Sequence, residues 1–306
     1  MRRAFYTVDV FTDKIFGGNP LAVFPMAQGL SPAQMQQIAG ELNLSETAFV
    51  NPAEDPAHTC SVRIFTPRIE LPFAGHPTIG AAFVLAAIGQ VALSGDQTRM
   101  VFEETVGPVR VDVQASDGRP VSARLWAAQM PVFGPPTPGR VELARLLSLD
   151  DEALADAPWS PQAVSCGVPF TFIPLRDRAA LGQARLDVAL WKRLLADFWA
   201  PHVYCVTLDP EQEGHDVRAR MFAPAMGIEE DPATGAAASA LAGYLGSRVA
   251  LQDGRLRWAI EQGFEMGRPS VLEVEADKRD GEIVAVRVGG MCVMVSEGVM
   301  EVPEEG

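Results

Sequence analysis

The chain has 306 residues, 48% of them hydrophobic, enough for one large domain or two of ordinary size around a substantial core. Acidic residues outnumber basic ones, 39 to 25, for a formal charge of −14, and no Lys/Arg cluster is longer than a pair, which argues against nucleic acid or an anionic membrane as a partner. No apolar run approaches the ~20 residues that span a bilayer, and the opening Met1–Asp9 turns polar too soon for a signal peptide, so a cytoplasmic location is expected.

In chain order, Phe5–Val10 and Ala22–Phe24 read as strands, and a helix is expected from about Ser31 to Leu42, with Ser31 as its cap and Pro32 in its first turn. Thr47–Val50 and Ser61–Phe65 are further strands. A second helix is expected to begin at Pro77 and stop at Gly89. The turn-rich stretch Met130–Gly139 marks a domain boundary. Beyond it come a helical stretch from Val188 to Phe198, a helix beginning at Pro232 and stopping at Gly246, and strands at Arg257–Ile260 and Ser270–Glu275. The last segment, 283–306, is expected to return and complete the first half, giving domains of 1–130 (with 283–306) and 131–282.

Two segments about 155 residues apart share an order of features, the mark of an internal repeat. Arg63-Ile64-Phe65-Thr66-Pro67 followed by Ala74-Gly75-His76-Pro77-Thr78-Ile79-Gly80 answers Arg220-Met221-Phe222-Ala223-Pro224 followed by Asp231-Pro232-Ala233-Thr234-Gly235. Upstream, Gly18-Asn19-Pro20-Leu21 answers Gly167-Val168-Pro169-Phe170. In this pairing His76 stands opposite Asp231. Ile79–Ile88 and Ala233–Leu245 carry no charge on any face, so both helices are expected to be buried all round, each wrapped by its sheet.

The pairing places His76 and Asp231 at cap positions, each before a proline at the first helical position and beside free backbone N–H groups that attract a carboxylate. The bland alternative is that both merely cap, which is more natural for Asp than for His. Glu46 is the single carboxylate in a segment, Asn43–Val50, that otherwise reads as a buried strand; a desolvated Glu suits general acid/base work near neutral pH. The bland alternatives are a solvent-facing Glu on an edge strand and a capping partner. Phe16-Gly17-Gly18-Asn19-Pro20 lacks the spacing of a dinucleotide loop and reads as a tight turn lining the site. Cys60, Cys166, Cys205 and Cys292 are far apart and the four histidines form no ligand pattern, so reduced structural thiols and no metal site are expected.

The ordered set FGGNPLAVF, NLSETAFV, FAGHPTIGAA and EEDPATGAA, spread over nearly the whole chain, closely resembles the PhzF phenazine-biosynthesis family. The resemblance implies an α+β fold like that of diaminopimelate epimerase: two pseudo-symmetric domains, each a curled mixed sheet or barrel around a central helix, with the active site in a cleft between them, in a homodimer. It also implies a cofactor-independent isomerase of a small carboxylic acid, similar to trans-2,3-dihydro-3-hydroxyanthranilate isomerase. Glu46 would take and return the proton. His76 and Asp231 would bind and polarise the substrate, with Asn19, Gly75, Thr234, Gly235 and Ala236 as further substrate-binding positions. No thiol stands where diaminopimelate epimerases keep two cysteines, so a two-cysteine mechanism is not expected. Ala236 departs from the serine usual in family members with phenazine activity, a difference that bears on the substrate. The competing readings are a racemase, epimerase or dehydratase of an amino or hydroxy acid, and a non-catalytic homologue that binds small acids.

Overall fold

The computed structural model describes residues 1–304, and the chain falls into two compact units: Met1–Trp126 together with the segment from Gly289 on, and Ala127–Val288.

Unit 1 opens with β1 (Arg2–Val10), antiparallel to β2 (Asn19–Phe24). Helix α1 (Pro32–Leu42) follows, capped by Ser31 as expected from sequence, and the structure adds a reciprocal box with Gln34. It carries the chain across to β3 (Glu46–Asn51), parallel to β2. β4 (Cys60–Phe65) pairs antiparallel with β3 and with the short β5 (Glu70–Leu71). After α2 (Gly75–Ala87) comes β6 (Gln97–Glu104), parallel to β4, and then the meander β7 (Gly107–Ser116) and β8 (Arg119–Trp126). The chain's last strand, β17 (Glu282–Glu301), pairs with both β8 and β1. Eight strands therefore close into a barrel, and α2 fills it: every α2 residue except Ala87 is buried. Gly80 lets the helix approach the wall, since a Cβ there would meet the Leu21 side chain at 2.6 Å.

Unit 2 repeats the plan. β9 (Val132–Phe133) and β10 (Gln162–Ser165) flank α3 (Arg140–Leu146), and β11 (Pro169–Pro174) pairs antiparallel with β10. α4 (Arg178–Gln183) and α5 (Val188–Leu194) lead to β12 (His202–Thr207), parallel to β11 as β3 is to β2. β13 (Val217–Ala223) pairs antiparallel with β12 and with β14 (Ile228–Asp231). Helix α6 (Gly235–Gly246) is followed by β15 (Gly254–Gln262), parallel to β13, and β16 (Ser270–Arg279), antiparallel to β15. Along α6 only Ala236 escapes full burial. The fold class read from the sequence, mixed sheets curled round central helices, is the one observed.

Three sequence expectations are corrected. The helix expected over Val188–Phe198 ends at Leu194, and α3 and α4, short helices over the outer face of unit 2, had not been anticipated. The central helices do not begin at their prolines: α2 starts at Gly75 with Ala74 as N-cap, and α6 at Gly235 with Thr234 as N-cap. Consequently neither His76 nor Asp231 is a cap. Pro77 is tolerated inside the first turn because its missing N–H has no intrahelical partner there, whereas Asp231 is still held in β14, paired with Met221.

No helix among the described residues is long and apolar enough to cross a membrane.

Candidate active site

The register of the repeat differs from the sequence pairing. Ile64 pairs with Leu71, and Met221 with Asp231, in strands that lead into the central helices by the same strand, bend and two-residue approach. The equivalent residues are therefore Leu71 and Asp231, Pro72 and Pro232, Ala74 and Thr234, Gly75 and Gly235, and His76 and Ala236. Paired Arg–Glu clamps fit this register, and a second side-chain cluster recurs in both units. Arg63 clamps Glu70 with two hydrogen bonds of 2.7 Å, and Arg220 clamps Glu230 at 2.7 and 2.8 Å. His58 meets Glu103, which accepts the Glu54 and Asp55 amides, while His215 meets Glu261, which accepts those of Glu211 and Gln212. The expected opposition of His76 and Asp231 is thus replaced: two chemically unlike residues occupy two different places in the repeat.

In unit 1, β3 is an interior strand and Glu46 is its first residue, beside Leu21; the solvent-facing alternative does not hold, for the side chain is 12% exposed. His76, in the first turn of α2, puts Nε2 3.4 Å from Glu46 Oε2. Burial lowers the His76 pKa to about 3, a hydrogen bond to the Pro20 carbonyl opposing it only in part, so the ring is neutral at physiological pH. Nε2 makes no hydrogen bond, so the bond to Pro20 comes from the other nitrogen. A neutral imidazole that donates from one nitrogen is an acceptor at the other. Two acceptors, Nε2 and a carboxyl oxygen, consequently face each other with room for one proton. Asn19 is buried next to Pro20, and Ser45, just before Glu46, donates to its Oδ1 at 3.5 Å. The preceding Gly18 has φ +60°, and a Cβ there would lie 2.3 Å from the Val10 carbonyl oxygen, so the turn that delivers Asn19 requires glycine.

Beneath the first turn of α2, Thr78 Oγ1 lies 2.7 Å from the Ala74 carbonyl oxygen and 2.6 Å from Glu104 Oε1. The hydroxyl has one proton for two acceptors, and a protonated Glu104 supplies the second. Burial pushes the Glu104 carboxyl up to about 8, so it carries that proton at neutral pH. Free in the unfolded chain, it loses the proton at the ordinary glutamate value of about 4.5. Folding thus becomes less favourable as pH rises from about 4.5 to about 8. Glu104→Gln, which removes this titration, is expected to show a thermal midpoint that gains on the wild type by several degrees across that window; a constant difference from pH 4.5 to 8 would contradict the assignment.

In unit 2 the place of Glu104 is taken by Gln262, and the cluster is denser. Gln262 Nε2 donates to the Asp231 carbonyl at 2.8 Å and to Thr234 Oγ1 at 3.0 Å; its Oε1 accepts from the Thr234 amide at 3.1 Å and from the Tyr204 hydroxyl at 3.0 Å. Thr234 Oγ1 in turn donates to Asp231 Oδ2 at 2.5 Å. Pro232 is held by contact with Gly263, where a Cβ would lie 2.5 Å from the Pro232 oxygen. Every donor in this set has an acceptor, which fixes the Asp231 carboxylate just ahead of α6. Sequence reading named Asp231 and Thr234 but missed Gln262, Tyr204 and Glu104; the doublets Glu103-Glu104 and Glu261-Gln262, in corresponding places of the repeat, were the available signal.

Neither Ala74 nor Thr234 caps its helix with a side chain, so the first N–H groups of α2 and α6, at Gly75 and at Gly235 and Ala236, have no side-chain acceptor from their cap residues. All four thiols are buried, free and pushed up to about 12 by burial, which unfits them for proton transfer at neutral pH. No group of three or more His, Cys, Asp or Glu suited to a metal ion occurs among the described residues.

The family model for phenazine biosynthesis-like proteins (PhzC-PhzF) matches residues 8–298. An uncharacterized isomerase of Mesorhizobium japonicum is 39% identical, over 97% of this chain and 98% of its own length. The trans-2,3-dihydro-3-hydroxyanthranilate isomerase of Pseudomonas chlororaphis is 34% identical, again over 97% and 98%. The crystal structure of a phenazine biosynthesis protein of the PhzF family from Bacillus anthracis, 22% identical, superposes with a TM-score of 0.89 over 99% of this chain and 100% of that one. The chain therefore belongs to the phenazine biosynthesis-like PhzF family, with the diaminopimelate epimerase-like fold and with relatives named as isomerases.

Proposed function

We propose that the chain is an isomerase that moves a proton within a small carboxylic acid using its own side chains, with Glu46 as the acid/base. The observation that carries this reading is the buried pair of Glu46 and the neutral His76, 3.4 Å apart with a place for one proton between them. Ionised Glu46 removes a proton from a substrate carbon, and the C–H electron pair enters the conjugated system. The Glu46 O–H then returns that proton to another carbon of the system, and the resulting enol becomes a ketone. His76 Nε2 accepts the proton of protonated Glu46 in a hydrogen bond and so steadies the intermediate state of the base. Within unit 1 the uncapped N-terminus of α2 at Gly75 suits a carboxylate and Asn19 supplies a polar group beside Glu46; within unit 2 the N-terminus of α6 at Gly235 and Ala236 suits a carboxylate, and Asp231, oriented by Thr234, suits an amine or hydroxyl.

The substrate of the Pseudomonas relatives, trans-2,3-dihydro-3-hydroxyanthranilate, fits this chemistry and is the first compound to try. Ala236 places a methyl group at the position equivalent to His76, and the missing hydroxyl there favours a related acid with one polar contact fewer. Purified protein treated with EDTA and desalted is expected to convert trans-2,3-dihydro-3-hydroxyanthranilate or a ring acid of that kind at the untreated rate. Activity that vanishes with the chelator and returns with a metal would contradict the cofactor-independent reading.

A further inference from the structure

His202 is a buried titratable side chain that the reaction above leaves unused, and its Nδ1 makes no hydrogen bond. It opens β12 and shares one face of that strand with Tyr204, since Val203 and Cys205, between and beyond them, belong to the core under α3, α4 and α5. Tyr204 reaches Gln262 and through it the start of α6, and farther along the strand Val206 lies with Tyr244 and Leu245 at the other end of that helix. β12 is thus directed from the start of α6 toward its end, with His202 on the N-terminal side.

In unit 1 this position is held by Glu46. Each residue opens the corresponding strand of its repeat, and each stands beside the same residue of the parallel neighbour: Glu46 beside Leu21, His202 beside Phe170. Glu46 has His76 to face, but the counterpart of His76 is the methyl group of Ala236. Accordingly His202 Nδ1 is buried without a hydrogen bond, in a residue only 7% exposed whose ring packs 5.6 Å from that of Phe170. Natural proteins rarely leave such an atom unpaired without cause. Burial also lowers the His202 pKa to about 4, so the neutral ring offers one donor and one acceptor at physiological pH.

We propose that His202 is a substrate-contacting residue, the counterpart of Glu46 in unit 2, which together with the uncapped first turn of α6 binds the polar groups of an amino-substituted ring carboxylic acid. The ligand class rests on the isomerase reading above; the position of His202 does not. The helix N–H groups take the carboxylate, and His202 pairs with the neighbouring amine or hydroxyl, which supplies the partner that Nδ1 lacks.

The test is an NMR titration of the full chain, 15N-labelled in histidine, with millimolar anthranilate as a stable probe. The His202 signals, assigned by their absence in His202→Phe, are expected to shift. Affinity should fall about tenfold or more in His202→Phe, the loss of a buried hydrogen bond, and less in His202→Asn, which keeps a polar atom near the Nδ1 site. The thermal midpoint of His202→Phe should hold or rise, because an unpaired buried polar atom is removed; should that variant not fold, His202→Asn carries the comparison. Unmoved His202 signals, or unchanged affinity in the variants, overturn the proposal. Failure of the isomerase reading shows separately, as turnover that survives Glu46→Gln.

Discussion

Glu46→Gln is expected to lower turnover by about 10³-fold or more, the range associated with loss of a general acid/base, while the protein stays folded. The change keeps the shape of the side chain, and the introduced amide donates to His76 Nε2 as a protonated carboxyl would, so stability should alter by ~1 kcal/mol or less. Glu46→Asp retains the carboxyl but draws it back by one methylene from an atom already 3.4 Å away, and should recover only part of the activity. A purely structural Glu46 would give the opposite pattern, with turnover intact in both variants or lost only with the fold. Steady-state kinetics beside thermal melts of the same preparations separate the two.

The second large effect is at Asp231. In unit 1 its equivalent is Leu71, so the repeated frame does not need a carboxylate at this point. Yet the chain keeps one there, 7% exposed, fixed by Thr234, and with Gln262 holding its backbone carbonyl. A buried carboxyl group that the repeated frame does without accords with the binding role proposed for Asp231. Asp231→Asn preserves an acceptor for the Thr234 hydroxyl and is expected to fold with little change in midpoint, while kcat/KM falls about 10²-fold through the lost charge, roughly 3 kcal/mol of transition-state binding. An Asp231→Asn protein with kcat/KM within a factor of two or three of wild type would remove Asp231 from the site.

Much of this was legible in the sequence, and what was not has physical reasons. The helix capped by Ser31 announces itself locally, because cap, proline and apolar spacing lie within one short segment. The charge-free stretches around Gly80 and Ala240 could only be buried helices, and the shared Arg-x-Phe-x-Pro strands exposed the duplication. The register was misread because His76-Pro77 looks like Asp231-Pro232, whereas the matching proline is Pro72; the approach to the helix counts residues from strand pairing, which a motif does not display. Gln262, Tyr204 and Glu104 were invisible for a related reason. Their partners are Thr234, Asp231 and Thr78, reached across the sheet rather than along the chain. His202 carries no motif at all, and only its register beside Phe170 shows it to be the double of Glu46.

The most direct test of the central claim is a proton NMR comparison of the ring acid that the wild type converts, trans-2,3-dihydro-3-hydroxyanthranilate being tried first, incubated with wild-type protein and with Glu46→Gln. With the wild type, product should appear bearing hydrogen on a ring carbon that gained one in the reaction, and with Glu46→Gln the substrate spectrum should persist unchanged. Product formed equally by both proteins would contradict the account.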